Sequence, residues 1–351
     1  MIPPGATIGI LGGGQLGRML AVAAAQLGYC VHIYAPEADS IAAEVAAKFT
    51  CAAWDDAAAM ARFAATCDVV TFEFENVPVE PLAVLGAKLL PNARALEIGQ
   101  DRLAEKQFFA ELGGRTAQFA TVDTPADLAQ AIAQVGHRGI LKTRRDGYDG
   151  KGQWRIDADT DLAALDLPDA PLIYEGFVQF SAEFSVILCH AANGEIRFWD
   201  SAHNIHTDGI LATSIVPAPA IILAQLAEAR ELAAKVAAAL DYVGVLTLEF
   251  FATADGPVVN EMAPRVHNSG HWTIEGAVTS QFENHIRAIC GLPLGDCRLA
   301  AQSVVMHNII GDAADNWAQI LADGANHLHL YGKGTMRDGR KMGHVTRLTR
   351  A

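Results

Sequence analysis

The fold is decided first by the stretch Thr7-Ile-Gly-Ile-Leu-Gly-Gly-Gly-Gln-Leu-Gly17. Thr7–Leu11 is short and apolar, which predicts a buried strand. The glycines after it predict a tight turn, and the apolar spacing that follows predicts a helix from Gln15 to about Leu27. Further strands are expected over Val31–Tyr34 and Asp68–Phe72, with alanine-rich helical stretches between them. Strands that alternate with helices predict a doubly wound parallel sheet, an α/β architecture.

The composition excludes several classes of protein. The chain has 351 residues, of which 51% are hydrophobic and 19% charged, so it can bury a large core and is not disordered. A formal net charge of −14 argues against nonspecific binding to nucleic acid or to an anionic membrane. No apolar run reaches the length of a membrane-spanning helix. The 6 cysteines form no CxxC pair, which predicts reduced thiols in a cytoplasmic protein.

The glycine pattern Gly12-x-Gly14-x-x-Gly17 is also the fingerprint of dinucleotide binding. That interpretation expects a carboxylate at the end of the second strand, whereas Glu37 comes only after a proline. This mismatch weakens the dinucleotide interpretation, and a nicotinamide oxidoreductase is kept only as the alternative from a different class of enzyme. The same turn could instead hold another phosphate or allow close packing.

A second glycine-rich segment, Asp146-Gly-Tyr-Asp-Gly-Lys-Gly152, follows the predicted strand Gly139–Lys142. Its glycines free backbone N–H groups that could hold phosphate oxygens, and Lys151 adds a positive charge. The GxxxxGK[ST] spacing of a P-loop is absent. A flexible surface hairpin is the alternative interpretation.

Two carboxylates lie on consecutive strands late in the chain. Glu249 interrupts an apolar strand, and Glu261 belongs to the next one. A three-residue turn centred on Asp255 would place the two side chains opposite each other, about 5 Å apart at Cβ. A two-residue turn at Asp255 and Gly256 would instead pair Glu261 with Phe250, on the wrong face. The opposed arrangement predicts a shared divalent cation, because bare like charges would repel.

The histidine pairs His203-x-x-His206 and His267-x-x-x-His271 have a spacing that is also typical of zinc ligands. Oxygen ligands at positions 249 and 261 favour magnesium over zinc. The segment Arg337-Asp-Gly-Arg-Lys-Met-Gly-His344 is basic in an otherwise acidic chain. By default it is a solvated loop, but an Arg-Lys pair between glycines could also hold a phosphate monoester.

The order of features along the chain resembles that of the ATP-grasp superfamily. These features are the strand with Lys142, the glycine-rich loop, the apolar segment 171–178 and the paired carboxylates. Longer motifs narrow the resemblance to the 5-(carboxyamino)imidazole ribonucleotide synthase family of purine biosynthesis. They are Ile10-Leu-Gly-Gly-Gly-Gln-Leu-Gly-Arg-Met19, Phe72-Glu-Phe-Glu-Asn-Val77, Gly147-Tyr-Asp-Gly-Lys-Gly-Gln153, His203-Asn-Ile-His206, Asn260-Glu-Met-Ala-Pro-Arg-Val-His-Asn-Ser-Gly-His-Trp272 and Gly339-Arg-Lys-Met-Gly-His344. Lys151 stands where relatives often have Arg, and Asp146 where Gly is usual.

The resemblance implies an ATP-grasp fold (α/β, with α+β parts) of three domains. A doubly wound parallel-sheet domain that binds substrate would span 1–113, a small mixed lid domain 114–180, and a larger C-terminal mixed-sheet catalytic domain 181–351. The family is a C–N ligase that uses ATP, bicarbonate and 5-aminoimidazole ribonucleotide, with carboxyphosphate as intermediate. It also implies Mg²⁺, with Mn²⁺ as an alternative, a cytoplasmic homodimer, and neither nucleic acid nor membrane as partner. A formate-using or peptide-forming ATP-grasp ligase is the alternative within the superfamily.

The resemblance also implies roles for individual residues. The catalytic residues would be Asp149 near the substrate amine, with Arg265 and His267 on the bicarbonate. The metal ligands would be Glu249 and Glu261. ATP would be bound by Arg102, Lys142, Gly147, Tyr148, Asp149, Gly150, Lys151, Gly152, Gln153, Glu175, Gly176, Phe177, Val178, Glu183, His206, Asn260 and Glu261. The ribonucleotide would be bound by Gln15, Leu16, Glu73, Tyr148, Lys151, Asn268, Ser269, Arg340 and Lys341.

Overall fold

The computed structural model describes residues 1–124, 126–147, 152–334, 336–337 and 339–350. In these residues the strands form three sheets, one parallel and near the N-terminus, the others antiparallel. No helix of this part of the chain is both long and apolar enough to cross a membrane. All six cysteines are free thiols.

The first sheet is parallel, with strand order β3-β2-β1-β4. Its strands are β1 (Thr7–Leu11), β2 (Cys30–Ala35), β3 (Lys48–Cys51) and β4 (Val69–Phe72). Helices α1 (Gln15–Gln26), α2 (Ala57–Thr66), α3 (Ala93–Gly99) and α4 (Arg102–Glu111) accompany it, with 3₁₀ helices at Ala43–Val45 and Glu80–Lys88. The predicted α/β unit is confirmed, but β3 was not expected between the second and third predicted strands.

The second sheet is small and antiparallel, with order β5-β8-β6-β7. It consists of β5 (Phe119–Val122), β6 (Gly139–Thr143), β7 (Gln153–Ile156) and β8 (Leu172–Gly176), with helix α5 (Asp127–Val135) and a 3₁₀ turn at Leu162–Ala164. Its apolar side chains, among them Leu141 and Tyr174, form a core of their own.

The third sheet is large, with order β14-β13-β9-β11-β12-β15-β17-β16, and β10 pairs with β9. Its strands are β9 (Ala182–His190), β10 (Ile196–Phe198), β11 (His203–Thr207), β12 (Ile210–Val216), β13 (Gly244–Thr253), β14 (Gly256–Ala263), β15 (Ser303–Ile310), β16 (Asn326–Leu330) and β17 (Lys341–Thr349). The helices are α6 (Ala220–Leu223), α7 (Leu226–Ala239), α8 (Thr273–Gly276), α9 (Gln281–Ile289) and α10 (Trp317–Ala322), with 3₁₀ turns at Asn268–Gly270 and Gly311–Asn316.

The hairpin of β13 and β14 corrects one expectation. Thr253 pairs with Gly256, so the turn has two residues and not three. A register shift after Glu249 nevertheless places Glu261 opposite it, because Asn260 is an extra residue in the ladder. The expected pairing is confirmed, and the expected three-residue turn is wrong: the extra residue sits in a β-bulge instead.

The basic segment near the C-terminus corrects another expectation. Residues from Lys341 onward belong to β17, which pairs with both β15 and β16. His344 is fully buried. The interpretation as a solvated loop is therefore wrong for this part of the segment.

The parallel unit and the large sheet share one continuous core. Ile8 and Leu20 lie in the same apolar cluster as Val245 and Ile286. His285 joins the two sheets: its Nδ1 accepts the Val245 N–H (3.1 Å) and its Nε2 lies 2.8 Å from Thr71 Oγ1. This packing brings the ends of β1 and β4 close to the segment that follows β14.

Candidate active site

A buried cluster of cations surrounds Glu175 on β8. Lys142 Nζ of β6 lies 2.9 Å from Glu175 Oε2. Lys106 Nζ of α4 lies 3.2 Å from the same oxygen. Burial opposes the charge of Glu175, but the two ammonium groups outweigh it and lower its pKa to about 2. Burial also lowers the pKa of Lys142. Glu175 therefore balances two ammonium groups that would otherwise repel each other.

Arg102, on the same helix as Lys106, links the hairpin to the glycine-rich loop. Its guanidinium donates to Glu261 Oε2 (3.2 Å) and to the carbonyl of Gly147 (3.2 Å). Asp101 caps α4 and accepts from Arg144 Nη2 (2.7 Å), which fixes the base of the glycine-rich loop against this helix. Of that loop, Tyr148, Asp149, Gly150 and Lys151 lie outside the described residues.

Glu249 and Glu261 oppose each other on β13 and β14. Burial raises the pKa of Glu249 to about 8, and the charge of Glu261 adds to the effect. Such a pair requires a proton or a cation between its members, and its oxygen atoms suit Mg²⁺. Among the described residues no group of three or more His, Cys, Asp and Glu side chains is arranged to hold a metal. A divalent ion here would therefore need further oxygen ligands, such as phosphate oxygens and water.

Two histidines complete this side of the site. His206 Nδ1 lies 2.6 Å from Glu183 Oε2, and this partner raises the histidine pKa although burial opposes it. His267 Nε2 lies 3.1 Å from Glu249 Oε1. Burial and the charge of Arg265 hold the pKa of His267 well below its usual value.

The first glycine-rich turn faces a carboxylate. Gly14 N–H donates to Glu73 Oε1 (2.7 Å), and a Cβ at Gly12 would lie 2.6 Å from the same oxygen. Glu73 is buried, which raises its pKa. It already accepts the Gly14 N–H, one of the donors that a diphosphate at this turn would need. The dinucleotide interpretation is therefore not supported by the geometry. Gln15 begins α1 beside the turn, whereas the Leu16 side chain is buried in the core.

Several basic residues surround Glu73 and the hairpin. Arg265 Nη2 lies 2.8 Å from Glu75 Oε2. The charge of Lys341 acts on Glu249, His206 and His267, which places it at the same site. Lys333 Nζ donates to the Lys341 carbonyl (2.7 Å), and the Arg340 carbonyl accepts the N–H of Gly311.

The remaining predicted residues lie in the segment after β14 and near the ends of β7 and β8. Both polar atoms of the Asn268 amide are buried and without a hydrogen-bond partner in the described part of the chain. By contrast, the Ser269 hydroxyl is fully buried and contacts Ser185 and His267. Five further predicted positions lie near the start of β7 and the end of β8: Gly152, Gln153, Gly176, Phe177 and Val178. The ring of Phe177 is partly exposed and lies under the guanidinium of Arg138, 4.0 Å from the ring centroid.

Sequence reasoning missed Lys106 and Glu105. Glu105 is buried, its Oε1 accepts the Met262 N–H (2.7 Å), and burial raises its pKa to about 8, with Glu261 adding to the effect. A signal existed, since Arg102, Glu105, Lys106 and Phe109 follow the i, i+3, i+4, i+7 spacing of one helix face. Three charges on a face that also carries a buried phenylalanine indicate a polar site and not solvent.

Comparisons with known proteins agree with this arrangement. The ATP-grasp domain model matches residues 107–282, the ribonucleotide synthetase preATP-grasp domain 5–100, and the phosphoribosylaminoimidazole carboxylase C-terminal domain 304–351. This defines the chain as an ATP-grasp enzyme.

Relatives that match over the full length show which ATP-grasp family the chain belongs to. The N5-carboxyaminoimidazole ribonucleotide synthase of Brucella melitensis is 52% identical, over 99% of this chain and 97% of the relative. A solved ADP complex of an N5-carboxyaminoimidazole ribonucleotide synthetase has a TM-score of 0.94 at 41% identity, covering 100% of this chain and 94% of that one. The Aspergillus clavatus N5-carboxyaminoimidazole synthase, in complex with ADP and 5-aminoimidazole ribonucleotide, gives 0.87 at 33% identity, with coverages of 99% and 94%. The chain belongs to the N5-carboxyaminoimidazole ribonucleotide synthase family, ATP-grasp ligases that form a C–N bond.

Proposed function

We propose that the chain carboxylates 5-aminoimidazole ribonucleotide with bicarbonate, at the expense of ATP, and releases N5-carboxyaminoimidazole ribonucleotide, ADP and phosphate. The reaction is a step of de novo purine biosynthesis and forms a C–N bond. Full-length identity of 52% to a synthase of this name supports it. The observation that carries the proposal is the position of Arg102, which donates to Glu261 of the opposed pair and lies one helical turn before Lys106 of the buried lysine cluster.

The lysine cluster and the loop base form the ATP side of the site. Lys142, and Lys106 beside it, would offset the charge of the ATP phosphates. Arg102 donates to the carbonyl of Gly147 and would hold the loop base near the transferred phosphate. Glu183, oriented by His206, would accept hydrogen bonds from the ribose hydroxyls. Gly176 to Val178 would present backbone groups to the adenine.

Glu249 and Glu261 would hold Mg²⁺, with Mn²⁺ as an alternative, and the adjacent Asn260 would contact ATP. The direct opposition of two glutamates, one of them largely buried, supports the metal assignment. The cation would offset the negative charge that gathers on the γ-phosphate when bicarbonate attacks it. That attack releases ADP and gives carboxyphosphate.

Arg265 and His267 would bind the oxygens of bicarbonate and of carboxyphosphate. Both lie beside the hairpin, and His267 contacts Glu249 directly. The ribonucleotide amine then forms the new C–N bond at the carboxyl carbon, phosphate leaves, and the amine loses a proton. Asp149, outside the described residues, stays the predicted group near this amine, and Tyr148, Gly150 and Lys151 stay predicted loop contacts.

The ribonucleotide would lie between the first glycine turn and the start of β17. Gln15 and Glu73 would contact it on one side, and Arg340 and Lys341 would hold its phosphate monoester on the other. Asn268 supports this position, since its buried amide has no hydrogen-bond partner among the described residues. The exclusion of bulk water here would protect carboxyphosphate.

The larger organisation is also a proposal. Domain bounds of 1–113, 114–180 and 181–351 are supported by the three sheets, each of which falls within one of these ranges. A cytoplasmic homodimer is expected from the family. Neither nucleic acid nor a membrane is expected as a partner, in keeping with the net charge of −14.

The test is a set of reactions, each lacking one component. Phosphate and ADP should be released only when ATP, bicarbonate and 5-aminoimidazole ribonucleotide are all present, and ¹³C-bicarbonate should label the product. Formate in place of bicarbonate tests the other ATP-grasp ligases, and NADH absorbance tests the oxidoreductase. Release that is independent of the ribonucleotide, or that needs formate, would overturn the proposal.

A further inference from the structure

A continuous chain of buried polar side chains ends at His267. Its members lie on four segments that the fold brings together, and each is at most 3% exposed except His267. The hydrogen bonds are Ser214 Oγ to Asn204 Oδ1 (2.9 Å), Asn204 Nδ2 to Ser185 Oγ (2.5 Å), Ser185 Oγ to Ser269 Oγ (2.7 Å) and Ser269 Oγ to His267 Nδ1 (2.8 Å). We call the four residues that lead to His267, which are Ser214, Asn204, Ser185 and Ser269, the polar array.

The backbone N–H of Ser269 indicates which nitrogen of His267 carries the proton, and the closer Ser269 hydroxyl holds the ring in that state. The Ser269 N–H points at His267 Nδ1 from 3.3 Å. A backbone N–H can only donate, so Nδ1 must offer its lone pair. A ring whose Nδ1 offers a lone pair carries its proton on Nε2, which lies 3.1 Å from Glu249 Oε1.

The polar array agrees with this tautomer. Asn204 donates its amide N–H to Ser185, which leaves the Ser185 hydroxyl proton for Ser269. The Ser269 hydroxyl can then donate to Nδ1. Each hydroxyl therefore donates its single proton in the same direction, towards His267.

The backbone of His267 is fixed separately. Gln281 Oε1 accepts the His267 N–H (2.9 Å), and Gln281 Nε2 donates to the His267 carbonyl (2.7 Å). Gln281 is fully buried. Ring and backbone are therefore held by different partners, so the polar array can be altered without removing the backbone clamp.

We propose that Ser269, Ser185, Asn204 and Ser214 are positioning residues that hold His267 as the neutral Nε2–H tautomer, aimed at Glu249. The role of His267 in the reaction rests on the proposed function, whereas its tautomer does not. In this state the ring donates a hydrogen bond to Glu249 or to a bicarbonate oxygen. It takes up no proton through Nε2 and is not a general base. Ser269, expected from the resemblance to contact the substrate, acts here through His267.

The direct test is the tautomer. The full chain is labelled with ¹⁵N-histidine, and long-range ¹⁵N–¹H correlation spectra are recorded at neutral pH without ligands. His267→Gln identifies the signals by their loss. We expect a pyridine-type shift for Nδ1 and a pyrrole-type shift for Nε2. A pyrrole-type Nδ1, or a doubly protonated ring, would overturn the proposal.

Variants test the polar array itself. Ser269→Ala removes the hydroxyl at 2.8 Å from Nδ1 and leaves only the longer backbone contact of 3.3 Å. The Nδ1–H tautomer should therefore become populated and kcat should fall about tenfold, roughly the value of one lost buried hydrogen bond, with the KM for ATP within about twofold. Ser269→Thr, which keeps the hydroxyl, should restore the spectrum. Ser201→Ala is the matched control, because the Ser201 hydroxyl is buried without a partner in the described residues.

The outcomes separate the two proposals. If Ser269→Ala does not fold, Ser185→Ala carries the same test one step further from the ring. Unchanged ¹⁵N shifts together with unchanged kcat in the folded variant would contradict the polar array. Expected shifts in an enzyme that lacks ribonucleotide-dependent turnover would support the polar array and contradict the proposed function.

Discussion

Glu249 on β13 faces Glu261 on β14 because Asn260 is an extra residue in the ladder between them. The bulge follows from the core: Val259 and Met262 are both buried in the same apolar cluster although they lie three positions apart. A regular strand would send them to opposite faces. The bulge satisfies the core and leaves two consecutive polar residues, Asn260 and Glu261, opposite Glu249.

Glu261→Gln should lower the rate of ATP turnover at least 100-fold and leave the melting temperature nearly unchanged. It keeps the shape of the side chain and removes one charge from the proposed Mg²⁺ site. Phosphate release at ordinary Mg²⁺ and thermal unfolding are the measurements. Glu228→Gln, a change at an exposed glutamate of α7, is the control. Near-normal turnover in the Glu261 variant would contradict the metal role.

Lys106→Met should raise the KM for ATP by about tenfold or more and change the KM for the ribonucleotide little. The substitution removes one of two ammonium groups next to Glu175, and a charge-assisted contact is worth about 1.5–3 kcal/mol. Steady-state kinetics with each substrate varied provides the test. Lys235→Met, at an exposed lysine paired with Glu231, should have no effect. An unchanged KM for ATP would exclude Lys106 from the nucleotide site.

Glu175 should make stability fall in acid. Its pKa is about 2 in the fold against an ordinary value of 4.5, so its ionised form stabilises the fold above pH 4.5. That contribution is lost as the pH falls from about 4.5 towards 2. Urea unfolding at a series of pH values should show wild type and Glu175→Gln converging over this window. A constant difference in their free energies of unfolding would contradict the lowered pKa.

Lys341→Ala should raise the KM for 5-aminoimidazole ribonucleotide by roughly ten- to a hundredfold, and the KM for ATP much less. The reason is the loss of a charge-assisted contact to the phosphate monoester. Kinetics of ribonucleotide-dependent phosphate release measures both constants, with Lys235→Ala as the control. An unchanged KM for the ribonucleotide would remove Lys341 from the phosphate site.

Local patterns in the sequence predicted much of this fold. The β1–α1 unit and the β6 strand with Lys142 depend on residues close together in the chain. The pairing of Glu249 with Glu261 was predicted correctly, but from a three-residue turn that the structure replaces with a two-residue turn and a bulge. The short strand Lys48–Cys51 was missed because it lies at the sheet edge, where it is only partly buried and shows little apolar pattern.

Long-range contacts could not be predicted in the same way. The polar array joins Ser185 to Ser269, 84 positions apart. Lys106 on α4 meets Glu175 on β8, which is the last strand of the small sheet along the chain. The bulge at Asn260 depends on which face of β14 is buried, and that face is set by helices elsewhere in the sequence. Only the packed fold defines these neighbours.

The shared core of the parallel unit and the large sheet has a consequence for how the protein comes apart. Because Ile8 and Val245 lie in one apolar cluster, the first glycine-rich turn and the hairpin of β13 and β14 should lose their structure in a single cooperative transition. The small sheet, with Leu141 in a separate cluster, should open on its own at lower free energy. Amide hydrogen exchange would then show two protection levels, and the nucleotide would raise the lower one by binding between the two parts.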